Sequence, residues 1–129
     1  MPQSPPQPET IARLFDAVYP SFAMLAGMEL DLFTPLEDGP LTGEQLADAI
    51  GVQAIKLKPL LYALVVAGLL TVEDDLFSNT AEADHYLVRG RPAYLGGLQD
   101  LTSSNWNRML RAAETVRAGG PPAKLDYHA

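Results

Sequence analysis

The chain contains no cysteine. Disulfides and thiolate metal ligands are therefore excluded, and a reducing compartment fits. Histidine is scarce: His85 and His128 are the only two, and no HxxxH pair, GxSxG elbow or Walker loop occurs. Long hydrophobic runs are missing as well. The longest, Leu60–Leu70, has eleven residues, too few to span a bilayer. Basic charge is thin, with 9 Lys and Arg against 16 Asp and Glu and a net charge of −7, which works against non-specific attraction to nucleic acid or anionic membrane. No basic stretch followed by an apolar one opens the chain, so no secretory signal is expected and the cytoplasm is the expected location. What is present is a 47% hydrophobic chain of 129 residues, enough for one domain with a modest core.

Prolines open the sequence, four of them in Pro2–Pro8, and make residues 1–8 an extended, disordered lead-in. From Glu9 and Thr10 a helical pattern runs through Ile11, Leu14, Phe15, Val18, Phe22 and Leu25. Pro20 should kink or split it. A second apolar stretch, Met28–Leu36, follows Gly27, and Asp38-Gly39-Pro40 reads as a turn. Thr42-Gly43-Glu44-Gln45 has the spacing of a capping box and starts a short helix that Gly51 ends. The next helix should begin between Ile55 and Lys58, because Pro59 is comfortable only in a first turn, and Gly68 should cap it. Leu69–Val72 and Leu76–Ser78, joined by Glu73-Asp74-Asp75, read as a small hairpin. Thr80 then caps a helix from Ala81 to about Val88. Past Pro92 a longer helical region carries Trp106, Met109, Leu110, Ala113 and Val116 on one face, until Gly119-Gly120-Pro121-Pro122 stops it. The layout predicts a mainly α, winged-helix-like domain over residues 9–122, with a small β-hairpin wing and additional helices.

A winged helix invites a DNA-binding reading, and the charges argue against it. Between Thr34 and Asp75 stand two basic residues, Lys56 and Lys58, against seven acidic ones. Phosphate neutralisation needs Lys and Arg, and base readout needs Arg, Asn or Gln. The helix that would enter a groove offers only Lys56, Lys58 and Tyr62 as polar surface, and the wing carries three carboxylates. No nucleic acid and no membrane partner is expected, and a winged-helix transcriptional regulator is kept only as an alternative.

Catalytic groups are sparse. His85 lies beside Asp84 on a polar helix face, where a surface histidine is the ordinary outcome. Gly96-Gly97 and Gly119-Gly120 are isolated pairs with no strand before them. No catalytic, cofactor-binding or metal-ligating residue is assigned. Arg89, Arg91, Arg108, Arg111 and Arg117 cluster late and read as a solvated face interleaved with Asp100 and Glu114. Trp106, the sole tryptophan, sits between Asn105 and Asn107. It could stack on an aromatic ligand, although plain core or interface packing is the commoner role of a single tryptophan. Met24, Met28 and Met109 are in the same position. The apolar load between Ile11 and Phe33 exceeds what one small core can bury, and a partner surface would relieve it.

The chain resembles the N-terminal dimerisation domain of S-adenosylmethionine-dependent O-methyltransferases acting on small aromatic or polyketide molecules. The resemblance rests on Gly27-Met28-Glu29-Leu30-Asp31-Leu32-Phe33, Gly39-Pro40-Leu41-Thr42, Glu44-Gln45-Leu46-Ala47, Gly51, Leu57, Leu60-Leu61, Leu64, Gly68-Leu69-Leu70 and Thr80-Ala81-Glu82-Ala83. Trp106, Leu110 and Val116-Arg117-Ala118-Gly119-Gly120-Pro121 resemble the helix and glycine stop that precede the family's catalytic domain. The resemblance implies a homodimer with intertwined N-terminal helices, its interface including Ile11, Leu14, Phe15, Val18 and Phe22. It implies that Tyr19, Phe22, Met24, Asn105, Trp106 and Met109 face a small-molecule acceptor. S-adenosylmethionine would serve the complete enzyme, held by a downstream catalytic domain or subunit, and would not bind this chain alone. Residues 123–129 would then be a linker toward that domain, and the chain by itself would be inactive. A free-standing accessory subunit of a methyltransferase-like enzyme is the other alternative.

Overall fold

The computed structural model describes residues 4–119. The expected boundary at Pro122, the linker 123–129, His128 and Pro2 lie outside the described residues. Helices α1 (Glu9–Asp16) and α2 (Val18–Leu30) open the fold. The predicted break falls at Ala17 rather than at Pro20. Proline acts on the carbonyl four residues earlier, where its ring crowds the chain and its absent N–H leaves an acceptor unpaired. For Pro20 that residue is Asp16, the last of α1.

Helix α2 runs straight through Gly27 to Leu30 and stops at Asp31, which adopts a left-handed conformation (φ 55°, ψ 42°). The apolar stretch from Met28 onward is thus divided between the end of α2 and a 3₁₀ turn, Thr34–Asp38. At Gly27 the backbone of α2 comes close to its neighbours: a Cβ there would meet the Phe33 ring at 3.0 Å and Leu64 at 3.3 Å.

Helix α3 (Gly43–Ile50) begins at the expected capping box, with Thr42 Oγ1 accepting from the Gln45 amide at 3.1 Å and Gln45 Oε1 accepting from the Thr42 amide at 2.9 Å. Gly51 ends it in the left-handed region. Helix α4 (Ala54–Ala67) crosses α3 at 110°, the angle of a helix-turn-helix. It starts one residue before the expected window, because the Gln53 carbonyl accepts from both Lys56 and Leu57. Pro59 consequently sits in the second turn, not the first, and forgoes one hydrogen bond, to the Ile55 carbonyl.

The wing forms from β2 (Leu70–Glu73) and β3 (Leu76–Asn79). Asp74 and Asp75 both take positive φ, 52° and 63°, as a two-residue hairpin turn matched to strand twist requires. An unexpected short strand, β1 (Leu41–Thr42), pairs antiparallel with β3, placing Leu41 opposite Phe77, so the sheet order is β1-β3-β2. Two residues carry no readable alternation, which is why this strand is invisible in the sequence.

Helix α5 (Ala81–Tyr86) starts as expected, with Thr80 Oγ1 accepting from the Ala83 amide. It ends two residues short of Val88; Leu87 and Val88 leave the helix yet remain buried. The expected single helical region beyond Pro92 is two helices, α6 (Gly97–Met109) and α7 (Ala112–Ala118), separated at Leu110 and Arg111. Arg111 is already outside helical geometry (φ −103°, ψ 15°).

The core gathers Met28, Leu32, Phe33, Leu46, Leu57, Leu61, Leu64, Leu70, Phe77 and Val88. It lies between α2, α3, α4 and the wing. Helix α1 contributes no buried residue to it.

Candidate functional site

The apolar surplus expected from the sequence lies on the outside of α1 and α2. Ile11, Leu14, Phe15, Val18 and Phe22 recur at helical spacing, and all are exposed, Phe15 at 73%. Tyr19 is exposed on the same segment. A large aromatic side chain left in water forfeits roughly 2 kcal/mol of burial, so a contiguous row of such residues is an unusual surface for a chain on its own.

The stripe runs into an open apolar groove of about 300 Å³ between α2 and α6, lined by Ala17, Val18, Ser21, Phe22, Trp106, Met109 and Leu110. Phe22 meets Trp106 edge to face across it. Of the residues singled out in the sequence for the acceptor, Phe22, Trp106 and Met109 come together here. Met24 instead packs, half-buried, on the core. Tyr19 and the half-buried Asn105 do not line the groove. Ala17, Ser21 and Leu110 were missed as lining residues. Helical spacing puts Ala17, Val18 and Ser21 on one face, but only the resting place of α6 makes that face a groove.

Among the described residues, charged groups do not gather into a reactive cluster. Lys58 binds Glu44 at 2.7 Å on the surface. That hydrogen bond is the main reason the Glu44 carboxyl is held below its usual range and the Lys58 ammonium above its own, with a smaller contribution to Lys58 from nearby Asp75. Arg91 donates to both oxygens of Asp84, at 3.2 and 3.1 Å, and lies 3.8 Å from Glu37. Arg89 sits 3.5 Å from Asp31. A hydrogen bond with Tyr94, more than the charge of Asp31, holds its guanidinium above the ordinary range. The Arg89 amide also donates to Thr34 Oγ1 at 3.1 Å, and Thr34 in turn donates to Asp31 at 2.6 Å. These two arginines therefore lock the segment after α5 onto the turn after α2, a structural role the reading of a solvated helix face did not contain. His85 rests edge-on against Tyr86.

Among the described residues no three His, Asp or Glu side chains converge as metal ligands, and no single helix is long and apolar enough to cross a membrane. A nucleotide-type cofactor needs a glycine-rich turn between a strand and a helix. Gly96-Gly97 follows no strand, and the Tyr94 ring fills the space beside Gly96. The described residues therefore do not fit such a group.

Helix α4 turns Leu57, Leu61 and Leu64 inward, while the wing beside it ends in exposed Glu73, Asp74 and Asp75. A helix-turn-helix with an acidic wing, and a first helix that finds no core of its own, defines a winged-helix-like docking domain. The chain belongs to the O-methyltransferase dimerisation domain family, whose pattern matches residues 12–89.

Among its relatives is the tetracenomycin polyketide synthesis 8-O-methyl transferase of Streptomyces glaucescens, 36% identical over 113 residues, or 84% of this chain and 33% of that protein. The 3-hydroxy-5-methyl-1-naphthoate 3-O-methyltransferase of Streptomyces sahachiroi is 33% identical over 118 residues, 88% of this chain and 33% of that one. The chain thus spans about one third of the length of these curated relatives. An O-methyltransferase family protein from Burkholderia thailandensis superposes with a TM-score of 0.75 and 27% identity over 88% of this chain and 34% of its own. Human N-acetylserotonin methyltransferase, solved in complex with SAM, shares the fold with a TM-score of 0.80 and 24% identity over 92% of this chain and 37% of its own.

Proposed function

We propose that this chain is the dimerisation and pocket-forming part of an S-adenosylmethionine-dependent O-methyltransferase acting on a small aromatic or polyketide natural product. The observation that carries the reading is the exposed stripe Ile11, Leu14, Phe15, Val18 and Phe22, on helices that bury little or nothing of it in their own core. Two copies joined through these helices form a homodimer. Stable interfaces of this kind bury on the order of 2,000 Å², and an apolar stripe on both partners suits a two-fold arrangement in which the same patch meets itself.

The groove continuous with that stripe forms one wall of the acceptor pocket. Phe22 and Trp106 offer aromatic surface suited to a flat ring system and Met109 an adaptable apolar contact; Tyr19, Met24 and Asn105, which do not line the groove, are not assigned to this wall. The two Streptomyces relatives, by their names, methylate a polyketide and a naphthoate, which supports an aromatic acceptor. The methyl donor and the catalytic base belong to the part of the enzyme outside this chain, and residues 1–129 alone neither bind the cofactor nor turn over.

Sedimentation equilibrium tests the first half of this reading, and calorimetry the second. A mass of twice 13.9 kDa, together with no heat on titration with S-adenosylmethionine, is the expected result. A monomer at all concentrations, or micromolar cofactor binding by the chain alone, would overturn it.

A further inference from the structure

The outward face of α4 carries a second apolar stripe that neither the core nor the proposed dimer face uses. Ile55, Pro59, Tyr62 and Val66 stand four, three and four residues apart, a spacing that keeps them within a narrow arc of one helix. All four are exposed, Ile55 at 80% and Val66 at 88%. Helix α4 turns Leu57, Leu61 and Leu64 toward the core it shares with α2, so this stripe points away from α2. Single exposed hydrophobics need no explanation, but four in line on one helix do.

The surroundings specify what can cover it. Tyr62 packs edge-on against Phe77, ring centroids 5.4 Å apart, and Phe77 is two residues past the wing turn. The exposed carboxylates of Glu73, Asp74 and Asp75, with exposed Leu76, therefore rim the stripe. The helix itself carries two lysines: Lys58 is paired with Glu44 and exposed Lys56 follows Ile55. Against these two stand five carboxylates, Glu44 and Asp48 on α3 and the three of the wing, so the local balance stays negative. A second copy seated here about a two-fold axis would bring like carboxylates together, which is repulsive. Duplex DNA and an anionic membrane meet the same repulsion. An apolar ridge edged by carboxylates is complementary to a helix with one apolar and one cationic face.

We propose that the α4 face is a docking surface for a partner protein, which presents a cationic amphipathic helix to Ile55, Pro59, Tyr62 and Val66. Apolar contact supplies the affinity, and Glu73, Asp74 and Asp75 supply orientation and a salt-sensitive on-rate.

The test uses a fluorescein-labelled designed peptide of leucines and lysines, helical, apolar on one side and cationic on the other. Its anisotropy is titrated with the 129-residue chain. Two doubly substituted chains are compared: Ile55→Ser with Val66→Ser, and Asp74→Asn with Asp75→Asn, asparagine being tolerant of the left-handed turn. Loss of the two exposed apolar side chains should weaken binding about tenfold or more with the thermal midpoint unchanged. The asparagine pair should flatten the salt dependence. A peptide with lysines changed to glutamates should not bind. Equal binding by the serine variant, or binding of the glutamate peptide, would overturn the proposal. So would a fall in the chain's own solution mass on serine substitution, which would make this face a contact between copies.

Discussion

Phe22 and Trp106 meet with ring centroids 4.5 Å apart and planes at 67°. This edge-to-face contact is where α6, far along the chain, is held to α2. Both rings border the groove, so neither is fully removed from water, and the pair is worth about 0.5–1.5 kcal/mol beyond its area. The same contact belongs to the proposed acceptor wall.

Trp106→Ala should therefore cost about 1–2 kcal/mol in urea denaturation, well short of the roughly 3–5 kcal/mol typical of a fully buried tryptophan. In the complete enzyme it should weaken acceptor binding more than it weakens folding. Unchanged affinity alongside a large stability loss would make Trp106 a packing residue and nothing more.

Phe15→Glu separates assembly from folding. The side chain is 73% exposed in the single chain and α1 adds nothing to the core, so a glutamate there should leave the core of the monomer intact. Across an apolar interface an unpaired carboxylate costs several kcal/mol, enough to dissociate the dimer by light scattering. Phe22→Glu should do the same and also lose the Trp106 contact. A Phe15→Glu chain that stayed dimeric and equally stable would remove the α1 stripe from the interface.

Gly27→Ala sets two effects against each other. Alanine gains about 1 kcal/mol in helix propensity, yet its methyl would stand 3.0 Å from the fully buried Phe33 ring, where overpacking costs about 1–3 kcal/mol. Net destabilisation is expected, larger for Gly27→Val, and measurable as a lowered thermal midpoint. A stabilised Gly27→Ala chain would mean that Phe33 can give way.

The Glu44–Lys58 pair makes a pH prediction with a defined sign. Glu44 titrates below the ordinary 4.5 of a glutamate, chiefly through its hydrogen bond from Lys58, so whatever stability it lends is present above that value and fades as pH falls through the lowered pKa. Lys58, raised above 10.5, contributes below that value and loses its contribution as pH rises through the raised pKa. Between those limits the pair is constant. A carboxyl-carbon titration by NMR should place the Glu44 midpoint below 4.5, and Lys58→Met should return it toward that value. Because both groups are on the surface, the effect on global stability should be small.

Local signals in the sequence translated well wherever the physics was local. Thr42 with Gln45, Thr80 before Ala83, and the glycines at 51 and 68 mark element ends because caps involve residues only a few positions apart. Features set by distant partners were hidden. Strand β1 exists because Phe77 and Leu76 lie opposite Leu41 and Thr42, and the Arg91 bond to Asp84 depends on how the chain leaves α5. The groove was half legible: Trp106 and Phe22 stood out by type, whereas Ser21 and Ala17 belong to it only because α6 comes to rest beside them. Met24 looked equivalent to Met109 in composition, but its place on the helix turns it toward the core.

Helix α1 has eight residues and none of them is buried. So short a helix is marginal in water when nothing packs against it, and in the proposed homodimer the missing scaffold is supplied by a second molecule. Dilution then acts on this segment as a denaturant would: the thermal midpoint should rise with protein concentration, and the amides of Ile11 to Phe15 should exchange faster in dilute samples while those of Leu61 to Val65 do not. For this domain, how much of the chain is folded is a question that includes how many copies are in the tube.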